Sequence, residues 1–227
     1  MIQIISQLSL DKNGIYKDED SSLRNRLLLL GAPYAPLDGI NEKGLAVGIL
    51  QLHDKPTWQE TGKVNITSTT AIRMLLDKAA TVDEAVTMLK QYDMHSSANS
   101  CYHYQIADAA GNSVIVEYVD NEMHVLKPDS RYQAATNFYL TPGKKFNLGN
   151  GQDRYQIIMN SLKEKNGVMA AWEGMSLLGK ARKHNVTLPN GEISNTSWSA
   201  LYNNTKKYVD LAVEQKYEKV YHFTVDE

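Results

Sequence analysis

The chain has 227 residues, 42% of them hydrophobic, which is enough for one sizeable core, and we take 1–227 as a single domain. Its 24 basic and 26 acidic residues leave a net charge of −2, which excludes the electrostatic footprint of a nucleic-acid or anionic-membrane binder. One cysteine, Cys101, excludes an internal disulfide framework and fits a reducing, cytoplasmic setting.

Met1–Leu10 is too short to span a membrane and lacks a basic n-region or a small-residue cleavage site. The following stretch to Arg26 is polar and turn-rich, with a strand only at Arg26–Leu30, closed by Gly31-Ala32-Pro33. Asn41-Glu42-Lys43-Gly44 then reads as a tight turn with Gly at a positive φ, and Asn41 needs no further role. The strand it feeds is apolar on both faces. Leu45, Val47, Ile49 and Gln51 share one side, and Ala46, Gly48, Leu50 and Leu52 the other. Such a strand is covered on both sides, so Gln51 marks either the point where it surfaces or the edge of a reaction site.

His53–Gly62 is an irregular loop or lid. Beyond it the period changes to 3.6: Ile72, Leu75, Leu76 and Ala79 make one helical stripe, capped by Thr67 or Ser68. Thr81-Val82-Asp83-Glu84 is a capping box opening a second helix with Val82, Ala85, Val86 and Leu89 on its stripe. An antiparallel meander follows, Tyr102–Ala107, Ser113–Tyr118 and Glu122–Leu126, and then a short strand Tyr132–Asn137 broken at Thr141-Pro142-Gly143. Two further helices carry stripes of Tyr155, Ile158, Met159 and Leu162, and of Val168, Ala171, Trp172 and Met175, the second capped by Gly179. A polar connection, Lys180–Asn195, leads to strands at Ser197–Tyr202, Lys207–Val213 and Lys219–Val225. Paired helices between runs of antiparallel strands give an α+β arrangement with helices layered on sheets.

Few residues offer chemistry. Cys101 and His103 point the same way on one strand, as an imidazole-activated thiol requires, but a lone strand Cys is more often a small buried hydrophobe. No Asn or Asp is obviously placed to orient the His. The six histidines never reach metal-ligand spacing, so no metal is expected, and no glycine-rich phosphate loop occurs. The glycosylation-type tripeptides at Asn65, Asn185, Asn195 and Asn203 are chance matches without other signs of secretion. Arg154 stands in the first turn of its helix, where the macrodipole disfavours a cation. Asn137 ends a strand just before Phe138-Tyr139, where its amide can serve turn chemistry or donate to an oxyanion.

DGINEKGLAVGILQL, TTAIRMLLDKAATVDEAVTMLKQYDMHSS, HYQIADAAGNSVIVEY, ATNFYL, GQDRYQII and TSWSALYNNTKKYVDLAVEQKYEKVYHF, in that order, resemble the linear amide C–N hydrolases. This is the choloylglycine hydrolase, penicillin V acylase and acyl-coenzyme A:6-aminopenicillanic acid acyltransferase group of N-terminal-nucleophile hydrolases. The resemblance runs from Leu37 to the end and implies a four-layer αββα sandwich, no cofactor, a small-molecule amide as partner, and a homo-oligomer. It further implies that a cysteine at the mature N-terminus attacks the amide carbonyl and forms an acyl-enzyme, which water or an acceptor amine resolves.

Asn137 matches the family asparagine whose side chain donates into the oxyanion hole, and Gln51 the position whose backbone N–H completes it. Bile-salt hydrolases carry Asn at the second position and penicillin V acylases Tyr. Arg154 matches the family arginine near the nucleophile. The family's opening Cys and its Arg-Asn-Leu-Asp type motif do not occur, and Cys101 lies in an unrelated strand. The expectation is therefore an N-terminally incomplete amidase domain that is inactive alone. A degenerate amide- or acyl-binding domain and an acyl-coenzyme A-dependent N-acyltransferase are the alternatives.

Overall fold

The computed structural model describes residues 2–3, 34–187, 191 and 193–225. The expected strand Arg26–Leu30 and its Gly31-Ala32-Pro33 closure lie outside the described residues.

The organising element is β3 (Ala46–Leu52), central in a six-stranded antiparallel sheet. Its partners are β1 (Ile2–Gln3), β2 (Asp38–Ile40), β6 (Cys101–Ala107), β7 (Ser113–Val119) and β8 (Glu122–Leu126), in the order β1-β2-β3-β6-β7-β8. Alternation along β3 sorts its side chains as the sequence predicts. Leu45 and Val47 enter a core with Tyr104, Ile106, Val114 and Val116 beneath two helices, α1 (Ser68–Lys78) and α2 (Val82–Leu89). Thr67 caps α1 by accepting from the Thr70 N–H, and the Thr81/Glu84 capping box opens α2, so both starts are set by local sequence. Leu75 and Leu76 are sealed in this core, where truncation of either to Ala costs about 2–5 kcal/mol.

Asn41 does more than close its turn. Its Oδ1 accepts from the Lys43 and Leu45 N–H groups, while its Nδ2 donates to the carbonyls of Leu76 (3.0 Å) and Ala79 (2.7 Å) at the end of α1. One buried amide thereby satisfies orphan helix carbonyls and locks the β2–β3 turn to the helical layer. Gly44, at φ 82°, is required twice over, because a Cβ there would collide with the Asn204 carbonyl.

The other face of the sheet meets a second, three-stranded sheet of β13 (Trp198–Asn203), β14 (Tyr208–Val213) and β15 (Val220–Thr224). Ile40, Ala46, Val225 and Tyr202 pack between the sheets, and the Trp198 indole donates to Asp38 at 3.0 Å. Beyond lie α3 (Gln152–Glu164) and α4 (Ala171–Lys180). The stack is thus helices, sheet, sheet, helices.

Several expectations need correction. A parallel pair, β4 (Val64–Thr67) and β5 (Tyr92–His95), flanks the first helix pair. The expected strand Tyr132–Asn137 shrinks to β9 (Asn137–Phe138), paired with β10 (Gly149–Asn150). The polar connection holds a small hairpin, β11 (Val186–Thr187) with β12 (Ile193–Ser194). In α4 the expected stripe is out of phase, since Trp172 is 73% exposed and the buried face is Gly174, Met175, Leu177 and Gly179. Gly179 is no cap. It lies inside the helix against Tyr217, and Gly174 against Leu201, so absent side chains let α4 approach β13 closely.

Candidate active site

Three segments meet at the far end of β3. Pairing with β2 joins Gly39 to Val47 and Asp38 to Gly48, and the Ile49 N–H donates to the Leu37 carbonyl at 3.0 Å. Main-chain groups of alternate residues face the same edge of a strand, so the N–H and C=O of Gln51 face the β2 edge just past the last bond of that ladder. The Gln51 side chain turns outward and donates to Ser100 Oγ at 2.9 Å. The strand therefore surfaces here, and it is the Gln51 main chain, not its side chain, that faces this edge.

Into this edge comes Asn137, at the start of β9. Its Nδ2 donates to the Gln51 carbonyl at 2.7 Å, and its Oδ1 accepts from Arg154 Nη2 at 2.7 Å. The guanidinium can only donate, so it selects the oxygen end of the amide and turns the NH₂ end toward Gln51. That NH₂ has a second N–H, for which no acceptor is recorded among the described residues. Arg154 sits in the first turn of α3, as the sequence predicts. Gly151 precedes that helix at φ 89°, and a Cβ there would strike the guanidinium. Burial pulls Arg154 below its ordinary value while Asp153 pushes it back up. Lys183 is close enough to feel the same charge: burial first, and Arg154 second, hold its ammonium below the usual range.

Behind Asn137 lies a buried polar network. His103 Nε2 donates to the Thr136 carbonyl at 2.6 Å, and His103 Nδ1 meets Glu117 Oε1 at 3.0 Å. Glu117 also accepts from the Leu140 N–H (2.9 Å), the Thr141 N–H (2.8 Å) and the Thr141 hydroxyl (2.6 Å). Burial alone would raise its carboxyl, but His103, Thr141 and Leu140 outweigh that and hold it below the ordinary range. Thr136 Oγ1 donates to the Gly151 carbonyl at 2.9 Å, linking this network to the start of α3.

Cys101 and His103 do not form a pair. Both ring nitrogens of His103 are occupied elsewhere, and the Cys101 thiol is buried against Tyr139 Oη (3.2 Å) and Thr57 Oγ1 (3.6 Å). Tyr139 in turn donates to Asp54 at 3.1 Å, and Asp54 is bridged to Lys145 at 2.6 Å. The group that orients His103 is Glu117, which sequence reasoning missed. Its signal was a carboxylate inside the apolar run Ser113–Val119, since a charge there needs buried partners. Thr136 and Gly151 left no comparable signal. Among the described residues no cluster of His, Cys, Asp and Glu could hold a metal ion, and no helix is long and apolar enough to cross a membrane.

Known proteins resemble this chain in sequence and in fold. The model of a family described as acyl-coenzyme A:6-aminopenicillanic acid acyl-transferase matches residues 27–218. Penicillin V acylase of Pectobacterium atrosepticum is 35% identical over 111 residues, which are 44% of this chain and only 29% of that protein. Among solved structures, a variant of conjugated bile acid hydrolase from Clostridium perfringens gives a TM-score of 0.65 at 16% identity, covering 84% of this chain and 73% of that one. Penicillin V acylase from Agrobacterium tumefaciens gives 0.56 at 21% identity, covering 81% and 64%. At these identities the structural likeness is one of fold, the helix–sheet–sheet–helix sandwich.

Proposed function

The chain belongs to the acyl-coenzyme A:6-aminopenicillanic acid acyl-transferase family, and from that premise we propose that Asn137, the Gln51 backbone and Arg154 form the carbonyl-receiving half of a linear-amide hydrolase site. The observation that carries this reading is the chain of two 2.7 Å bonds from Arg154 through the Asn137 amide to Gln51.

A thiolate attacking an amide carbonyl forms a C–S bond and moves an electron pair onto the oxygen. The second side-chain N–H of Asn137 and the main-chain N–H of Gln51 donate to that oxyanion. Arg154, bonded to the Asn137 oxygen, draws electron density from the amide and strengthens its remaining donor. Collapse expels the amine, which takes up a proton, and water then resolves the thioester. Donors fixed in place before the reaction cost no reorganisation; removing one from such a hole typically lowers kcat by about 10²–10³.

Cys101 is not the attacking thiol in this reading, and these 227 residues alone turn over no amide. A reducing cytoplasm suits an unpaired buried thiol. The substrate is a small amide of the kind in the relatives' names, a penicillin or a conjugated bile acid. Resolution by an acceptor amine instead of water is a second reading, favoured by the acyl-transferase name of the matching family.

The test is calorimetric titration of the chain with penicillin V and with a glycine-conjugated bile acid, alongside a turnover assay. The expected result is binding of at least one amide, weakened about tenfold by Asn137→Ala, the loss of one hydrogen bond, with no turnover. Turnover that disappears in Cys101→Ala, or binding indifferent to Asn137→Ala, overturns it.

A further inference from the structure

Asn137 is the second residue of a segment, Thr136 to Thr141, whose main chain is fastened at both ends to one side-chain pair. At the start, the Thr136 carbonyl accepts from His103 Nε2 at 2.6 Å; at the end, the Leu140 and Thr141 N–H groups donate to Glu117 at 2.9 and 2.8 Å. His103 and Glu117 are both fully buried. They project from the neighbouring strands β6 and β7, next to the paired residues Tyr104 and Val116.

The hydrogen-bond inventory fixes what this pair is. A carbonyl oxygen has no proton to give, so His103 Nε2 carries one. Glu117 accepts three protein donors in addition to its contact with Nδ1 of the ring. Both ring nitrogens and both carboxyl oxygens are thus engaged, and the pair is a buried, fully hydrogen-bonded polar pair. Such a pair is not favoured over well-packed apolar residues on stability grounds, because its desolvation offsets its attraction. What it gives that two apolar side chains cannot is directional attachment. In β6, His103 pairs with Leu50, the neighbour of Gln51. One side chain thus indexes both the strand that carries Gln51 and the segment that carries Asn137.

We propose that His103 and Glu117 are positioning residues for the carbonyl-binding site, setting the placement of the Asn137 amide relative to the Gln51 backbone. This rests on the reading in which the Asn137 amide receives the substrate carbonyl, although the positioning itself is measurable without any ligand. Neither side chain touches substrate; each acts through Thr136, Leu140 and Thr141.

The experiment uses the full chain, ¹⁵N-labelled, with the side-chain NH₂ signals of Asn137 identified by their disappearance in Asn137→Ala. His103→Gln, Glu117→Gln and the milder Thr141→Val are compared for those signals, for melting temperature and for penicillin V affinity. The expected result is that the Asn137 NH₂ signals move and exchange about tenfold faster in each variant that folds, as for one lost hydrogen bond, while backbone signals of α1 and α2 stay in place. Affinity falls in parallel. Thr141→Val keeps the fold packed because it removes only one hydroxyl, so it decides the matter if the others fail to fold. Unchanged Asn137 signals beside a lowered melting temperature overturn the proposal and leave the pair a purely structural one. Shifted signals in a protein that binds neither amide instead uphold the positioning and count against the amidase reading alone.

Discussion

Arg154 Nη2 lies 2.7 Å from Asn137 Oδ1, and because the guanidinium has no acceptor, that contact determines which end of the Asn137 amide faces Gln51. Arg154→Met removes the one donor to the Asn137 Oδ1 named among the described residues, and Asn137 is buried, so the unsatisfied acceptor costs about 1–3 kcal/mol. Arg154→Lys keeps the charge but loses the planar fork, so it recovers only part of the loss. Urea denaturation gives the stability difference and amide titration the functional one. If Arg154→Met leaves both unchanged, the contact carries no weight.

Gly151 tests the same contact from the other side. At φ 89° an alanine costs about 1–2 kcal/mol for its backbone alone, and its Cβ also strikes the guanidinium. Gly151→Ala is therefore expected to destabilise by more than the backbone term. The excess should vanish when Arg154→Ala is present, because the colliding group is gone. A double-mutant cycle measures this directly; strict additivity would mean that Arg154 does not occupy the space above Gly151.

What could be read in advance and what could not divides along sequence distance. The two faces of β3, the capping box at Thr81 and the stripe of α1 are local patterns, and all three are seen in the structure. The Asn137–Gln51 bond joins residues 86 apart, and nothing in either stretch points to the other; only the resemblance put them in one site. Periodicity failed where burial was made by something other than apolar side chains. Thr136 and Asn137 are held by hydrogen bonds to His103, Gln51 and Arg154, so of the strand predicted over Tyr132–Asn137 only Asn137 pairs as one, within β9. In α4 the glycines at 174 and 179 mark the buried face, where a hydrophobic count had placed Trp172.

Two buried carboxyls pull the pH dependence of stability in opposite directions. Glu117 is held below its ordinary value of 4.5, so it binds protons more weakly folded than unfolded; its contribution is present above that value and is lost as pH falls below it. Asp38 is raised above its ordinary 3.8, chiefly by burial, with the Trp198 hydrogen bond and the nearby Tyr202 hydroxyl opposing. Its contribution is favourable below 3.8 and is withdrawn as pH climbs through the raised value. Asp38→Asn keeps an acceptor for the Trp198 indole but removes the titration. Relative to the natural chain, the variant should therefore gain stability steadily as pH rises from about 4. Denaturant midpoints at a series of pH values check this, and a difference that stays flat across the series sinks it.

Cys101 supplies the last expectation. The residue is 1% exposed, packed with Leu52 and Tyr139, and its S–H donates to a Tyr139 hydroxyl that is itself committed to Asp54. A thiol in that position meets a reagent only when the end of β6 opens, so modification by an aromatic disulfide should be slow in native buffer and complete at once in denaturant. Its rate should rise in variants that loosen the neighbourhood, such as Tyr139→Phe, which removes the hydroxyl that accepts from the thiol. Cys101→Ala deletes a small buried group and should cost about 1 kcal/mol, with amide binding unaltered, because the hydrogen bonds of the sulfur go to Tyr139 and Thr57, whereas those of the Asn137 amide go to Gln51 and Arg154. Rapid stoichiometric labelling of the native chain would show the thiol to be open to small molecules, and with it the case for a Cys101 nucleophile would return.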